Sequence, residues 1–323
     1  MAALYEAFVR GADSPLPELP IQYADFARWQ REWLQGDVLE SQLTYWKQSL
    51  TGHASVLELP TDYARASAKS LRAEVETFEL SQSLSDALKQ LSRRESATLY
   101  MTLLTAFKTL LYWHTGEEDI LLATPVSGRT QMGTEKLIGC FINTLALRTV
   151  VNGALSFREL LARVREVSLG AYAHQDLPFE KLVEELQPER DANRPPLFRL
   201  MFVMQNAAPE EVLIQGLSFK LAQADNGFMQ FDFILSMTEE AGVLVGAMGY
   251  RCDLFHRSTI TRLASHLKTL LQSIVADPDE KLANLHILTE SERGGSNASD
   301  FPETGMSQME FENLILEINE ETD

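Results

Sequence analysis

Asp119-Ile120-Leu121-Leu122-Ala123-Thr124-Pro125-Val126, closed by Ser127-Gly128-Arg129, decides the class of fold. It is a short, nearly continuous apolar run, the pattern of a strand buried on both faces. Two helical patterns precede it. One is capped near Ser81 or Ser83 and runs to about Arg94. The other carries Leu99, Met101, Leu103, Leu104, Phe107, Leu110 and Leu111 up to Gly116, which suits a left-handed helix end. A helix pair feeding a buried strand predicts α/β layering.

The same reading extends to both sides. Ala73 to Leu80 alternates polar and apolar residues, as a half-exposed strand does. Further upstream, residues 1–10 read as the end of a helix, followed by a proline-stiffened loop. From Ile21 to Leu50, Tyr23, Phe26, Ala27, Trp29, Trp33, Leu34, Leu43, Tyr45 and Trp46 recur at helical spacing, with a break near Gly36, where Asp37 is expected to cap a second helix. Taken singly, these aromatics are expected as core filler. Downstream, Phe141 to Val151 reads as a strand, Ser156 to Ala173 as a long amphipathic helix, and Pro178 to Leu186 as a short one. Residues 187–198 form a charged, proline-rich loop. Four β-type stretches follow, Phe198–Gln205, Leu217–Ala224, Phe231–Met237 and Val243–Tyr250, the last pair joined as a hairpin through Thr238–Gly242. The final amphipathic helix runs from about His256 to Val275. No internal repeat is found.

Composition bounds the function. The chain has 323 residues, 45% hydrophobic and 23% charged, which excludes wholly disordered and low-complexity classes. Lys and Arg total 28 against 46 Asp and Glu, a net charge of −18 that repels phosphate backbones and anionic lipid. Nucleic acid and membrane partners are therefore not expected. No apolar run approaches a bilayer span and no secretory leader is legible, so the expected location is the cytoplasm. The two cysteines, Cys140 and Cys252, are expected as small buried residues; a disulfide framework and a zinc site are excluded.

Self-contained catalytic signatures are missing: GxGxxG, the Walker A loop, GxSxG and HExxH do not occur. Among the six histidines only His174-x-Asp176 approaches metal-ligand spacing, and no metal is expected there. His174-Gln175-Asp176-Leu177-Pro178-Phe179-Glu180 instead reads as a junction between two helices. Asp176 is placed to cap the second, and the first helix's C-terminus favours the charged form of His174. Arg190-Asp191-Ala192-Asn193-Arg194-Pro195-Pro196 reads as a polar loop that fixes its own backbone.

Four segments, taken together and in order, carry a resemblance. They are Ile21–Gln30 (IQYADFARWQ), Leu137–Arg148 (LIGCFINTLALR), His174–Glu180 (HQDLPFE) and Arg190–Asn206 (RDANRPPLFRLMFVMQN). Gly116–Ile120, Thr124–Arg129 and Tyr250–Phe255 add to them. The pattern resembles the condensation domain of nonribosomal peptide synthetases over about residues 1–293. The resemblance implies a chloramphenicol-acetyltransferase-like (CoA-dependent acyltransferase-like) α/β lobe, a mixed sheet flanked by helices. In the family two such lobes form a V with a tunnel between them.

The resemblance also implies the chemistry. Donor and acceptor peptidyl carrier proteins present substrates on phosphopantetheine, so no cofactor is bound directly. The family's His-His-x-x-x-Asp-Gly motif, whose second His orients or deprotonates the attacking amine, belongs to the N-terminal lobe. This chain has no adjacent His pair, so no catalytic residue is assigned. Residues 1–293 are expected to be the C-terminal lobe, inactive without its N-terminal partner. The alternative is a non-catalytic carrier-binding or docking module, or a remnant of a split gene. Tunnel-side or lobe-bridging candidates are Arg129, Gly139, Asn143, Thr144, His174, Gln175, Asp176, Arg190, Asp191, Arg194, Gln205, Asn206, Asp232 and Asp253; each of the last two is expected to pair with an unnamed arginine.

Residues 294–323 lie outside the resemblance. They open with Gly294-Gly295-Ser296-Asn297-Ala298-Ser299 and then hold eight acids with no Lys or Arg. Met309, Phe311, Leu314, Ile315 and Ile318 mark one short amphipathic helix, expected either to dock on a downstream synthetase subunit or to serve as a solubilising tail.

Overall fold

The computed structural model describes residues 2–52, 56–65, 70–186, 197–205, 212–214, 217–219, 227–289 and 292–293. In chain order the elements are α1 (Ala2–Val9), α2 (Tyr23–Trp33), α3 (Gly36–Leu50), β1 (Ala73–Glu79), α4 (Gln82–Arg94), α5 (Leu99–Thr115), β2 (Asp119–Val126) and β3 (Asn143–Val150), followed by α6 (Phe157–Ala173), α7 (Phe179–Leu186), β4 (Leu200–Gln205), β5 (Val212–Ile214), β6 (Leu217–Phe219), β7 (Phe233–Glu240), β8 (Val243–Arg251) and α8 (Arg257–Ala276).

Local signals account for most boundaries. The Ser81, Thr98 and Ser156 hydroxyls accept the N–H groups of Leu84, Met101 and Glu159 at 3.2 Å each, and Glu159 closes a capping box on Ser156. Gly116 ends α5 in the left-handed region at φ 69°. Between β7 and β8, Ala241 and Gly242 both have positive φ, as a two-residue type I′ hairpin turn requires. Asp37, expected as a cap, lies in the first turn of α3, whose N-cap is Gln35.

The main sheet runs β1-β8-β7-β4-β2-β3. Pairs β1/β8, β8/β7 and β2/β3 are antiparallel, whereas β7/β4 and β4/β2 are parallel, so the expected mixed sheet is what the chain forms. β5 and β6 make a separate hairpin, and β5 has no counterpart in the sequence reading. β2 is buried along five consecutive residues, while β7 and β8 alternate buried and half-buried positions, as strands with one covered face do. Helix α5 is the centre of the core. It packs against α4, α6, α8 and β2, and Leu104, Phe107, Leu110 and Leu111 are wholly buried.

A charged side chain is wholly buried in that core. Lys108 on α5 donates to the carbonyls of Ile120 and Leu147 at 3.0 and 2.8 Å and to Thr149 Oγ1 at 3.0 Å. Three donors meet three acceptors, so the ammonium is fully satisfied. Burial still lowers its pKa to about 7, against an opposing pull from Asp119. Among the described residues no helix is long and apolar enough to cross a membrane.

Candidate functional site

Three of the segments singled out in the sequence meet at one cavity of about 290 Å³. Its walls include Tyr23, Phe26, Trp29 and Trp33 from α2, Gly128 and Thr130 from the loop after β2, Cys140 to Asn143 at the entry to β3, and Gln175, Asp176, Pro178 and Glu180 at the α6–α7 junction. The amphipathic pattern of α2 explains its place here. Tyr23, Phe26, Trp29 and Trp33 follow a three-and-four spacing, so they form one stripe. Part of that stripe departs from the core filler expected of it: Tyr23 and Trp29 are 36% and 37% exposed, whereas Trp33 packs against the core and Trp46 on α3 is buried at 2%. Trp29 stacks on Trp33 with centroids 5.3 Å apart, and Phe26 packs on Phe141 at 4.7 Å.

Two glycines allow the close approach. At Gly128 the backbone has φ +63°, and a Cβ there would lie 1.8 Å from the carbonyl oxygen of Phe141. At Gly139 a Cβ would fall 2.2 Å from the Tyr23 ring. The ring fills that space and its hydroxyl donates to the Cys140 carbonyl at 2.8 Å. Cys140 is exposed and Cys252 half-buried, which corrects the expectation that both are buried. Between the two glycines, the Arg129 guanidinium sits 4.2 Å from the Phe141 ring centroid and donates to the Thr134 carbonyl.

Asn143 organises the site. Its Nδ2 donates to the carbonyls of Gln175 and Leu177 at 2.8 and 2.7 Å, and its Oδ1 accepts the N–H groups of Thr144 and Phe179 at 2.9 and 3.0 Å. One side chain on β3 thus caps α7 and fixes the turn before it. This corrects the role expected of Asp176, which takes a 3.2 Å hydrogen bond from Thr130 and faces the cavity instead. The cap comes from a residue 36 positions away, so no local pattern announces it.

His174 ends α6 and is held from three sides. Its Nδ1 donates to the Gly170 carbonyl at 2.8 Å, its ring stacks on Tyr45 at 4.0 Å and 3°, and its carbonyl accepts Trp46 Nε1–H at 2.9 Å. Burial raises the Tyr45 pKa. Gln175 Nε2 donates to the Tyr172 carbonyl at 2.9 Å, so this side chain braces the same turn.

Asp232 and Asp253 line no part of this cavity. They share Arg251, which holds Asp253 through two bonds of 3.0 and 2.8 Å and reaches Asp232 at 3.3 Å. Arg65 meets Asp232 at 2.5 Å and Glu58 at 2.8 Å. Asp232 and Arg251 are buried at 1% and 2%, and the cluster ties the 58–65 loop to the ends of β7 and β8. Gln205, also outside the cavity lining, is the last residue of β4, opposite Thr238. Arg190, Asp191, Arg194 and Asn206, and the tail residues Met309, Phe311, Leu314, Ile315 and Ile318, lie outside the described residues.

A family model described as "Condensation domain" matches residues 1–294. Among curated relatives, one of the linear gramicidin synthase polypeptides of Brevibacillus parabrevis is 48% identical over 293 residues, which are 89% of this chain and 6% of that protein. The chain therefore spans a small fraction of the length of the curated relatives it matches. Among solved structures, the X-domain from teicoplanin biosynthesis aligns with a TM-score of 0.81 and 26% identity over 89% of this chain and 67% of that one; it is also solved in complex with OxyB. The four-domain nonribosomal peptide synthetase AB3403, bound to AMP and glycine, aligns with a TM-score of 0.75 and 26% identity over 82% of this chain and 21% of that one. With its mixed sheet, flanking helices and motif-lined cavity, this chain belongs to the condensation-domain family of nonribosomal peptide synthetases.

Proposed function

We propose that the chain acts as the C-terminal lobe of a condensation domain, contributing to amide bond formation between aminoacyl or peptidyl groups held as thioesters on donor and acceptor carrier proteins. The observation that carries this reading is the convergence of residues 23–33, 128–143 and 174–180 on one cavity, braced by Asn143. Amide formation needs a neutral amine held close to a thioester carbonyl, so positioning supplies much of the rate and a general base supplies more. This lobe offers the positioning surface: aromatic walls with the Asp176 and Glu180 carboxylates at one side. The general base belongs to the His-His-x-x-x-Asp-Gly motif, which this sequence does not contain. The lobe therefore works with an N-terminal lobe, supplied by further chain or by a separate polypeptide. Residues 294–323 supply a docking element for the next synthetase subunit.

The cavity gives the test. Ile142 lies at its wall, 68% exposed, so Ile142→Arg adds a bulky charge without disturbing the core. In a two-lobe reconstitution the variant is expected to retain its melting temperature within about 2 °C and to lose at least about tenfold in the rate of dipeptidyl-thioester formation. An unchanged rate sinks the assignment of this cavity. A second reading, a non-catalytic recruitment module, is favoured by the similarity to an X-domain solved in complex with OxyB. It predicts partner binding with no product even when an N-terminal lobe is present.

A further inference from the structure

The cavity beside α2 combines two kinds of surface, and together they select a charge. Trp29 and Trp33 stack with centroids 5.3 Å apart in its wall, and Trp29 is 37% exposed, so aromatic surface stays within reach of a ligand. The Asp176 and Glu180 carboxylates join the lining from the α6–α7 junction. Asp176 accepts one hydrogen bond, from the Thr130 hydroxyl at 3.2 Å. Among the described residues no lysine or arginine lines the cavity, and none forms an ion pair with either carboxylate.

The nearest cation is already committed. The Arg129 guanidinium lies 4.2 Å from the Phe141 ring centroid, outside the lining, and donates to the Thr134 carbonyl. The chain thus seats one guanidinium against an aromatic ring of this wall, and one cation against two carboxylates leaves the site negative. An anion would meet those carboxylates with nothing to offset them. A neutral apolar ligand would strip water from them without replacing it. A cation satisfies both surfaces, because ring faces carry negative partial charge and carboxylates accept its N–H groups.

We propose that this cavity binds an organic cation, a guanidinium or primary ammonium on an alkyl stem, held between the Trp29–Trp33 pair and the carboxylates of Asp176 and Glu180. Its volume of about 290 Å³ suits a group of side-chain size. Gln175 Nε2 is committed to the Tyr172 carbonyl at 2.9 Å, which leaves Oε1 as a further acceptor in the lining. With the cavity read as a positioning surface for tethered groups, the cation is the basic side chain of a carrier-bound aminoacyl or peptidyl group. It is not the attacking amine, which must be neutral. This substrate class rests on the condensation reading above; the binding itself does not.

Titration of the full chain with butylguanidinium, followed by the indole N–H resonances of Trp29 and Trp33, tests the site. Saturable shifts are expected, with butylurea, the neutral near-isostere, and pentanoate each binding at least about tenfold more weakly. Asp176→Asn keeps an acceptor for Thr130, and Glu180 is exposed, so both substitutions spare the fold. Asp176→Asn/Glu180→Gln is expected to weaken butylguanidinium at least about tenfold. Shifts that do not saturate, butylurea binding equally well, or an unchanged affinity in the double variant overturns the proposal. In a two-lobe reconstitution, lysyl thioesters are expected to exceed norleucyl ones at least about fivefold in kcat/KM, on the donor or the acceptor side, and to lose that advantage in the double variant. Equal kcat/KM values, with butylguanidinium displaced when the N-terminal lobe is added, overturn the substrate assignment, because a residue of that lobe then fills the site. Butylguanidinium is read on this chain alone, so loss of its binding strikes the site, whereas binding without product from any thioester strikes the condensation reading.

Discussion

Lys108 shows how far one residue's role depends on what surrounds it. In a helical pattern a lysine reads as a solvated position; here it is wholly buried and saturated by two strand carbonyls and a threonine. Its folded pKa, about 7, lies below its ordinary value of 10.5 because of burial. Between these values the unfolded chain binds more protons than the folded one, so stability rises with pH across that window. Urea unfolding at pH 7, 8 and 9 is expected to show a slope of up to about 1.4 kcal/mol per pH unit from this group. Lys108→Met is expected to be less stable at every pH and to lose that slope. An equal slope in both proteins removes Lys108 as its source. Asn143 makes the complementary point. Its residue type in a strand-entry motif was visible, but its four backbone partners were not, because three of them lie on residues 175–179 and only the fold brings them near. Asp176 looked like the cap because it is close in sequence; the actual cap is close in space.

At the scale of elements, what was legible is what local physics decides. Ser81, Gly116 and Ser156 mark helix ends through their own side chains or backbone freedom, and the structure puts those ends there. The run from Asp119 to Val126 forms a strand with the expected ends because a nearly continuous apolar strand needs burial on both faces. Helix α2 was legible as a helix, but not as a cavity wall. Its aromatic stripe looks the same whether it meets a core or a cleft, and only the loop from Gly128 to Phe141 distinguishes them. That loop carries its own prediction. Gly128→Ala forces a left-handed backbone on alanine and places its Cβ against the Phe141 carbonyl, so the loop must move. A loss of at least about 2 kcal/mol in urea unfolding is expected. Tyr23→Phe, which removes only the hydroxyl bond to Cys140, is expected to cost about 1 kcal/mol. A Gly128→Ala variant of wild-type stability contradicts this account of the cavity wall.

At the scale of the molecule, the α/β class, the mixed sheet and the family were all within reach of the sequence, since they rest on patterns spread over most of its length. The hydrogen bonds that join His266 on α8 to His114 on α5 and to Glu292, at 3.1 and 3.0 Å, were not, because the partners are separated by 152 and 26 positions and signal nothing locally. Charge divides along the same boundary: the last 30 residues contribute eight acids and no base. If that acidic, apolar-studded segment docks, deleting residues 294–323 is expected to weaken association with the downstream subunit at least tenfold at low salt, with the effect shrinking as salt rises. Equal affinity with and without it leaves the segment as a solubilising tail.

The central claim is that this lobe positions substrates and borrows its base. Single-turnover formation of dipeptidyl thioester, measured with loaded donor and acceptor carrier proteins, tests it most directly. The account predicts product when the chain is combined with an N-terminal lobe carrying the histidine motif, and none with either lobe alone; product from this chain by itself would contradict it.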